Sequence, residues 1–271
     1  MNYIIIILIL ITLHLSYTDN KKSIIDIERI KYLTKKISIH RPVSNIKQFI
    51  CNYIRKEIPL LTIKEQAFTK YINNKKSNLS NIIAYNSNTH SNKKIIILCA
   101  HIDSAISISL IIEIVRKLLL IDKYYPICIV LFDSKEAIGD KFTNDNALLG
   151  STYFVDNLKN KNYLVFIINL TGGSIRKNPI KLFASNKKSC KIFNSFYIIN
   201  RLLYNNDRVF VNSISYRQIK DDHIPFMKKN IDYIHLIPDN FPDQHHKLID
   251  NIDWKYVNIF TYVIFNYLLN I

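Results

Sequence analysis

The sequence predicts an α/β fold: a single-domain α/β sandwich with a central mixed, mostly parallel sheet flanked by helices. Three observations lead there. Short apolar runs of strand length alternate along the chain with longer segments of helical period. Consecutive strands separated by a helix pair most readily in parallel. Chemistry-bearing residues recur where the apolar runs stop: Asp103, Glu136, Asn169 and the pair His245–His246 each follow or end one. Ligands of open parallel sheets collect at the carboxyl ends of the strands, so these residues are expected along one edge. With 271 residues, 48% of them hydrophobic, the chain can fill one sizeable core without a second domain.

Taken in order, Tyr3–Leu15 is an unbroken apolar run. As a helix it would span only about 20 Å, short of the ~30 Å bilayer core. Residues 1–18 therefore read as a signal peptide or an uncleaved signal anchor, which implies the secretory pathway (ER or Golgi lumen, or secretion). Residues 19–40 are an N-terminal segment, and 41–271 form the folded domain. Pro42–Ile58 is an amphipathic helix, with Ile46, Phe49, Ile50, Tyr53 and Ile54 at helical spacing and Pro59 at its end. Two polar stretches, Asn73–Asn81 and Asn86–Lys94, read as loops around a short strand, Ile82–Tyr85; Ile95–Ala100 is the next strand. Ser104–Leu120 is too long and apolar for a strand and reads as a buried helix behind a serine cap. Ile127–Phe132 is a strand, Asn146–Leu158 a helix, and Tyr163–Leu170 a strand ended by Thr171-Gly172-Gly173. Lys187–Tyr204 is a helix and Tyr233–Ile237 a strand. Asp253–Leu269 is the last helix, with Trp254, Val257, Thr261, Ile264 and Leu268 on one face.

The formal charge of +16 invites a nucleic-acid reading. Lysine far outnumbers arginine, and no basic stripe interleaved with aromatics stands out, so the charge reads as solvated lysines and no nucleic-acid partner is expected. A membrane is expected to meet the chain only through the leader. Cys51, Cys99, Cys128 and Cys190 show no metal spacing; Cys99 and Cys128 sit inside apolar runs and read as small buried hydrophobes. Asn78-Leu79-Ser80 matches a glycosylation acceptor in a polar stretch.

The densest chemistry lies at Gln218-Ile219-Lys220-Asp221-Asp222-His223-Ile224-Pro225-Phe226, followed by His235-Leu236-Ile237-Pro238 and by Phe241-Pro242-Asp243-Gln244-His245-His246. The Asp-Asp-His run places three titratable groups beside a Pro-Phe turn, just ahead of an apolar strand. These segments, with Ala100-His101-Ile102-Asp103-Ser104-Ala105 and Leu131-Phe132-Asp133-Ser134-Lys135-Glu136-Ala137, resemble the animal-type glutaminyl-peptide cyclotransferases, which are related to zinc aminopeptidases. The resemblance runs from about Asn78 to the C-terminus. It implies one Zn²⁺ held by Asp103, Glu136 and His246, and cyclisation of N-terminal glutamine of peptides or proteins to pyroglutamate with release of ammonia. His101, two residues before Asp103, would point to the same side of a strand and is a second-shell partner or a further ligand.

The resemblance fails where protons are moved. The family's general acid/base glutamate is replaced by Lys135, and an aspartate on a strand by Asn169, while that aspartate's partner is kept as Asp221. In the substrate pocket Ile219 and Phe241 match; Phe142, Lys220 and His245 stand for a tryptophan, a glutamine and a second tryptophan. A loop between two Asp-Ser motifs is missing, and Ile108 replaces a disulfide cysteine. Three functions follow: a cyclase weakened by Lys135 and Asn169, a catalytically silent zinc-binding relative serving as a binding protein, or a zinc aminopeptidase. The last would need a glutamate at 135 and a metal-ligating aspartate at 169.

Overall fold

The computed structural model describes residues 25–40, 42–72, 75–88, 93–134, 147–159, 162–169, 171–184, 189–241 and 252–271. Its strands are β1 (Leu61–Ile72), β2 (Lys75–Asn86), β3 (Ile95–His101), β4 (Ile127–Phe132), β5 (Tyr163–Ile168), β6 (Ile180–Phe183), β7 (Phe210–Ser215) and β8 (Tyr233–Leu236). Its helices are α1 (Ile27–Ile39), α2 (Val43–Glu57), α3 (Ala105–Ile121), α4 (Leu149–Asp156), α5 (Cys190–Tyr204), α6 (His223–Lys228) and α7 (Trp254–Leu269). Six strands form one sheet in the order β1-β2-β4-β3-β5-β8, and β6 and β7 pair separately. The β4–β3, β3–β5 and β5–β8 pairs are parallel, while β1–β2 and β2–β4 are antiparallel. The mixed, mostly parallel α/β sandwich expected from the sequence is thus present.

The sheet is buried on both faces, so its central strands are apolar throughout, and their period of two sorts side chains between two cores. Ile96, Leu98 and Ala100 of β3, Ile129 and Leu131 of β4, and Leu164, Phe166 and Ile168 of β5 face the larger core with α1, α3, α5 and α7. Ile97 and Cys99, Cys128, Val130 and Phe132, and Val165 and Ile167 face the smaller core, with Phe154 and Val155 of α4 and Phe226 of α6. Continuing that alternation past each strand end places His101 and Asn169 on the α6 side. His235 of β8 joins them, being opposite Ile167 in register. β4 and β5 lie on opposite sides of β3. The end of β3 is therefore the topological switch point, where such sheets open a crevice.

Several elements differ from the sequence reading. α1 forms within the segment left unassigned. Asp26 caps it by accepting from the backbone N–H of Arg29 at 3.0 Å, worth about 1 kcal/mol, and Ile30, Leu33 and Ile37 are buried. The stretch 75–81 is strand: β1 and β2 pair residue for residue from Leu61↔Asn86 to Ile72↔Lys75. β2 meets β4 only over Ile82–Tyr85, so the rest of the hairpin projects past the carboxyl end of β4. Its polarity reflects two solvated faces, a property it shares with loops. The acceptor triplet accordingly lies in a strand, with Ser80 buried. β6 and β7 were not expected, and the Pro-Phe turn is the short helix α6. Ser104 does occupy the N-cap of α3, but its hydroxyl donates to Ser107 Oγ at 2.9 Å and makes no capping bond. The expected leader, residues 1–18, lies outside the described residues. Among those described, no helix is long and apolar enough to cross a membrane.

Candidate active site

The sheet's carboxyl edge is built around α6. Pro225 is tolerated in its first turn, where backbone N–H groups lack intrahelical acceptors. Phe226 is the anchor, fully buried against Phe132 and Phe154 with ring centroids 6.2 and 6.3 Å away. This fixes Asp221, Asp222 and His223 over the ends of β3, β5 and β8. Asp221 and Asp222 are wholly buried, and His101, His223 and His235 nearly so.

Asp221 is the hub. Its carboxylate accepts a hydrogen bond from Asn169 Nδ2 and has His235 Nε2 at 2.8 Å. His101 Nε2 stands 3.8 Å from Asp221, and His101 Nδ1 stands 2.9 Å from Asp222. The latter approach lacks hydrogen-bond alignment, so both ring nitrogens of His101 and both carboxylate oxygens of Asp222 are buried without hydrogen bonds. The His223 ring stacks on that of His235, with centroids 4.2 Å apart. Burial and then the neighbouring His235 push the His223 pKa down to about 3, against an opposing pull from Asp221, so this ring is neutral at physiological pH. Imidazole nitrogens and carboxylate oxygens converge in two overlapping groups, His101–Asp221–Asp222 and Asp221–His223–His235, each with ligand atoms within 4.8 Å of one another.

A second network frames the exit from β4. The Asp133 carboxylate accepts from Lys47 Nζ at 2.6 Å and from the backbone N–H of Ser80 at 2.9 Å. Its own N–H donates to Asn81 Oδ1, and its carbonyl accepts from Gly150 N–H. A Cβ on Gly150 would lie 2.3 Å from the Asp133 carbonyl oxygen, so only glycine permits this approach. Ser134 follows in a left-handed conformation, φ 52°. The overhanging hairpin thus grips the point where the chain leaves β4.

The model of peptidase family M28 matches residues 81–268, which is most of the chain and includes the carboxyl ends of β3, β4, β5 and β8. The chain belongs to peptidase family M28. No curated protein sequence matches it. Among solved structures, this M28 chain is similar to Macrostomum lignano glutaminyl cyclase (TM-score 0.79, 18% identity, 90% of this chain and 88% of that one). It is also similar to Porphyromonas gingivalis glutaminyl cyclase (0.76, 17%, 91% and 99%) and to a Zn-dependent exopeptidase from Parabacteroides distasonis (0.77, 16%, 91% and 99%). At such identities the likeness speaks for the fold.

The residues singled out from the M28 sequence divide in two. Asn169 and Asp221 are in contact at the hub, with His101 beside them. Asp103 lies in the turn after β3, which ends at His101, so the two do not share a strand; Asp103 is exposed. Ile219 is half-buried and Lys220 exposed. Lys220 lines a cleft of about 260 Å³ with Leu148, Ile224 and Lys228. Phe241 is half-buried, with the Arg217 guanidinium 5.0 Å over its ring. Lys135, Glu136, Phe142, His245 and His246 lie outside the described residues. Asp222, His223 and His235 were given no role from sequence. Their signal was the unusual Asp-Asp-His run and a histidine inside an otherwise apolar strand.

Proposed function

We propose that this M28 chain cyclises N-terminal glutamine of peptides or proteins to pyroglutamate, with one zinc ion held by Asp103, Glu136 and His246. Two carboxylates and an imidazole are a donor set that zinc accepts with a fourth position left open. The described residues fit a cation nearby, since His101 and Asp222 carry buried nitrogen and oxygen atoms that make no hydrogen bonds. Zinc bound there would polarise the γ-carboxamide as a Lewis acid.

The observation that carries this reading over an aminopeptidase is the Asn169–Asp221 hydrogen bond. Position 169 is where the aminopeptidase reading needs a charged metal ligand. The structure has a neutral amide there, spending its N–H on Asp221. In cyclisation the α-amine nitrogen bonds to Cδ, the carbonyl carbon of the γ-carboxamide, the bond from that carbon to the amide nitrogen breaks, and one proton passes from attacking to departing nitrogen as ammonia leaves. Asn169 can donate a hydrogen bond but cannot release or take that proton. Lys135 as an ammonium can give a proton and cannot accept one. The buried Asp221 carboxylate has the capacity to take it, and Asn169 and His235 orient it.

The same neutral amide favours a second reading, a silent zinc-binding relative serving as a binding protein. A turnover assay on a glutaminyl peptide, with zinc measured in the same sample, separates them. Pyroglutamate and ammonia in equal amounts support the cyclase. Bound zinc without turnover supports the binding protein, and release of an intact N-terminal residue would return the aminopeptidase. Within this proposal the leader, residues 1–18, delivers the chain to the secretory pathway, and the partners are peptides or proteins with N-terminal glutamine.

A further inference from the structure

The end of the sheet opposite the candidate active site carries apolar surface that no described element covers. α3 finishes there with Leu120 and Ile121, 70% and 58% exposed, and the turn after it presents Tyr124, 43% exposed. Ile121 borders a groove of about 610 Å³ whose apolar lining includes Leu118, Leu164, Ile192 and Leu269. Single exposed apolar residues are ordinary, whereas adjoining ones beside an apolar groove mark a contact surface.

This surface is ringed by cations. Lys93 and Lys94 line the groove just ahead of β3. Lys117 lies one helical turn before Ile121, Lys191 stands next to Ile192, and Lys123 Nζ sits 5.0 Å over the Tyr124 ring. Against them stand Asp122 and Asp232. Asp122 accepts from the backbone N–H of Tyr124 at 2.9 Å, and Asp232 lies 3.8 Å from Lys94. Lysine is thus in excess where the apolar side chains project.

We propose that this end of the chain docks on the surface of an anionic lipid bilayer, in addition to any contact that the leader makes. Leu120 and Ile121 would enter the boundary between headgroups and acyl chains, while the lysines reach lipid phosphates and carboxylates along their aliphatic stems. Tyr124, apolar in its ring and polar at its tip, suits the headgroup level. A second copy of the chain fits worse, because a two-fold interface sets the patch against itself and brings like lysines together. A free amphiphile lying in the groove would leave Leu120 and Tyr124, which do not line it, still in water. Docked in this way, the carboxyl edge of the sheet and its crevice face away from the bilayer, open to peptides. The proposal rests on neither zinc nor cyclisation.

The experiment reads side-chain accessibility on lipid. Full-length protein is mixed with vesicles of phosphatidylcholine, alone or with phosphatidylserine, and mapped by hydroxyl-radical footprinting alongside co-sedimentation. Protection of Leu120, Ile121 and Tyr124 on the anionic vesicles, weaker on neutral ones and at raised salt, supports the proposal. The lipid needed for half-maximal protection of Tyr124 should rise at least about tenfold in the variant Leu120→Ser/Ile121→Ser. It should rise about fivefold in each of Lys93→Gln and Lys123→Gln. All four positions are exposed, so these changes leave the fold intact. Protein that co-sediments while its patch stays as accessible as in solution is held by another segment, which overturns the proposal. Equal protection on neutral vesicles overturns it as well. Protection without lipid that grows with protein concentration assigns the patch to a second copy and overturns it too. None of these results bears on the cyclase reading, which the turnover assay decides.

Discussion

At the scale of single residues, two substitutions in the sequence bear on proton transfer and one glycine bears on architecture. A positioned proton shuttle contributes typically ~10²–10⁴-fold in rate. Lys135→Glu is therefore expected to raise the cyclisation rate by about two orders of magnitude, at unchanged zinc content. Asn169→Asp alone should help less and should gain in combination, because position 169 and Asp221 act as one hydrogen-bonded unit. Stopped assays of the four enzymes, wild type included, test this; a strictly multiplicative double variant would show the two positions to be uncoupled. Gly150→Ala forces a methyl group to within 2.3 Å of the Asp133 carbonyl. It is expected to cost about 1–3 kcal/mol, seen as a lower urea midpoint, as overpacking in a rigid setting does. An unchanged midpoint would mean that the β4 exit gives way easily.

At the scale of elements, what could be read from sequence depended on what decides each element. β3, β4, β5 and β8 were legible because burial on both faces imposes an apolar run, and α2, α3, α5 and α7 because they bury a helical stripe. β1 and the outer part of β2 were not, since they hold each other through backbone pairing over twelve residues and bury little. α6 was hidden by Pro225, which ordinarily argues against a helix but sits here in a first turn. The Asn169–Asp221 pairing was legible through the family resemblance, whereas His223 and His235 needed the register of β8 against β5. One tie between elements makes a pH prediction. Burial favours a neutral Asp239, but its hydrogen bond from Lys181 of β6, with Ser215 and Arg217, outweighs this and holds the carboxyl below its usual range. The bond, 2.6 Å long, fastens β6 to the chain just after β8. A depressed folded-state value gives stability that is fully present above pH ~4 and lost as pH falls through the folded value. Asp239→Asn should lower stability by about 1–2 kcal/mol at neutral pH and flatten the acid limb of the stability curve. Denaturant titrations between pH 7 and pH 3 measure both, and parallel curves for wild type and variant would contradict the assignment.

At the scale of the whole molecule, buried acidic and imidazole groups converge at one end of the sheet, and the zinc of the proposed function would tie the stability of the fold to a bound ion. An ion held by the folded chain alone adds RT ln(1 + [L]/Kd), about 2.7 kcal/mol at a hundredfold excess over Kd. Chelation is expected to lower Tm by several degrees, and added Zn²⁺ to restore it in a concentration-dependent way. Mg²⁺ should not substitute, since a four-coordinate set that includes an imidazole suits zinc, whereas Mg²⁺ demands an octahedral shell of oxygen. A Tm indifferent to both chelator and zinc would show that the folded chain holds no such ion. The wide spread of positive charge, +16 in all, belongs to this scale too and sets solubility.

The position of α7 has a consequence for how the chain is made. It is translated after every strand of the sheet, yet Tyr256, Val257, Phe260, Ile264, Phe265 and Leu268 are all wholly buried in the larger core. A nascent chain emerging from the ribosome therefore carries β3, β4, β5 and α3 for many seconds with their apolar faces uncovered, because synthesis proceeds at about 5–20 residues per second. Folding of this M28 domain in that sense waits for α7, and until α7 arrives the half-built sheet is a natural client for chaperones.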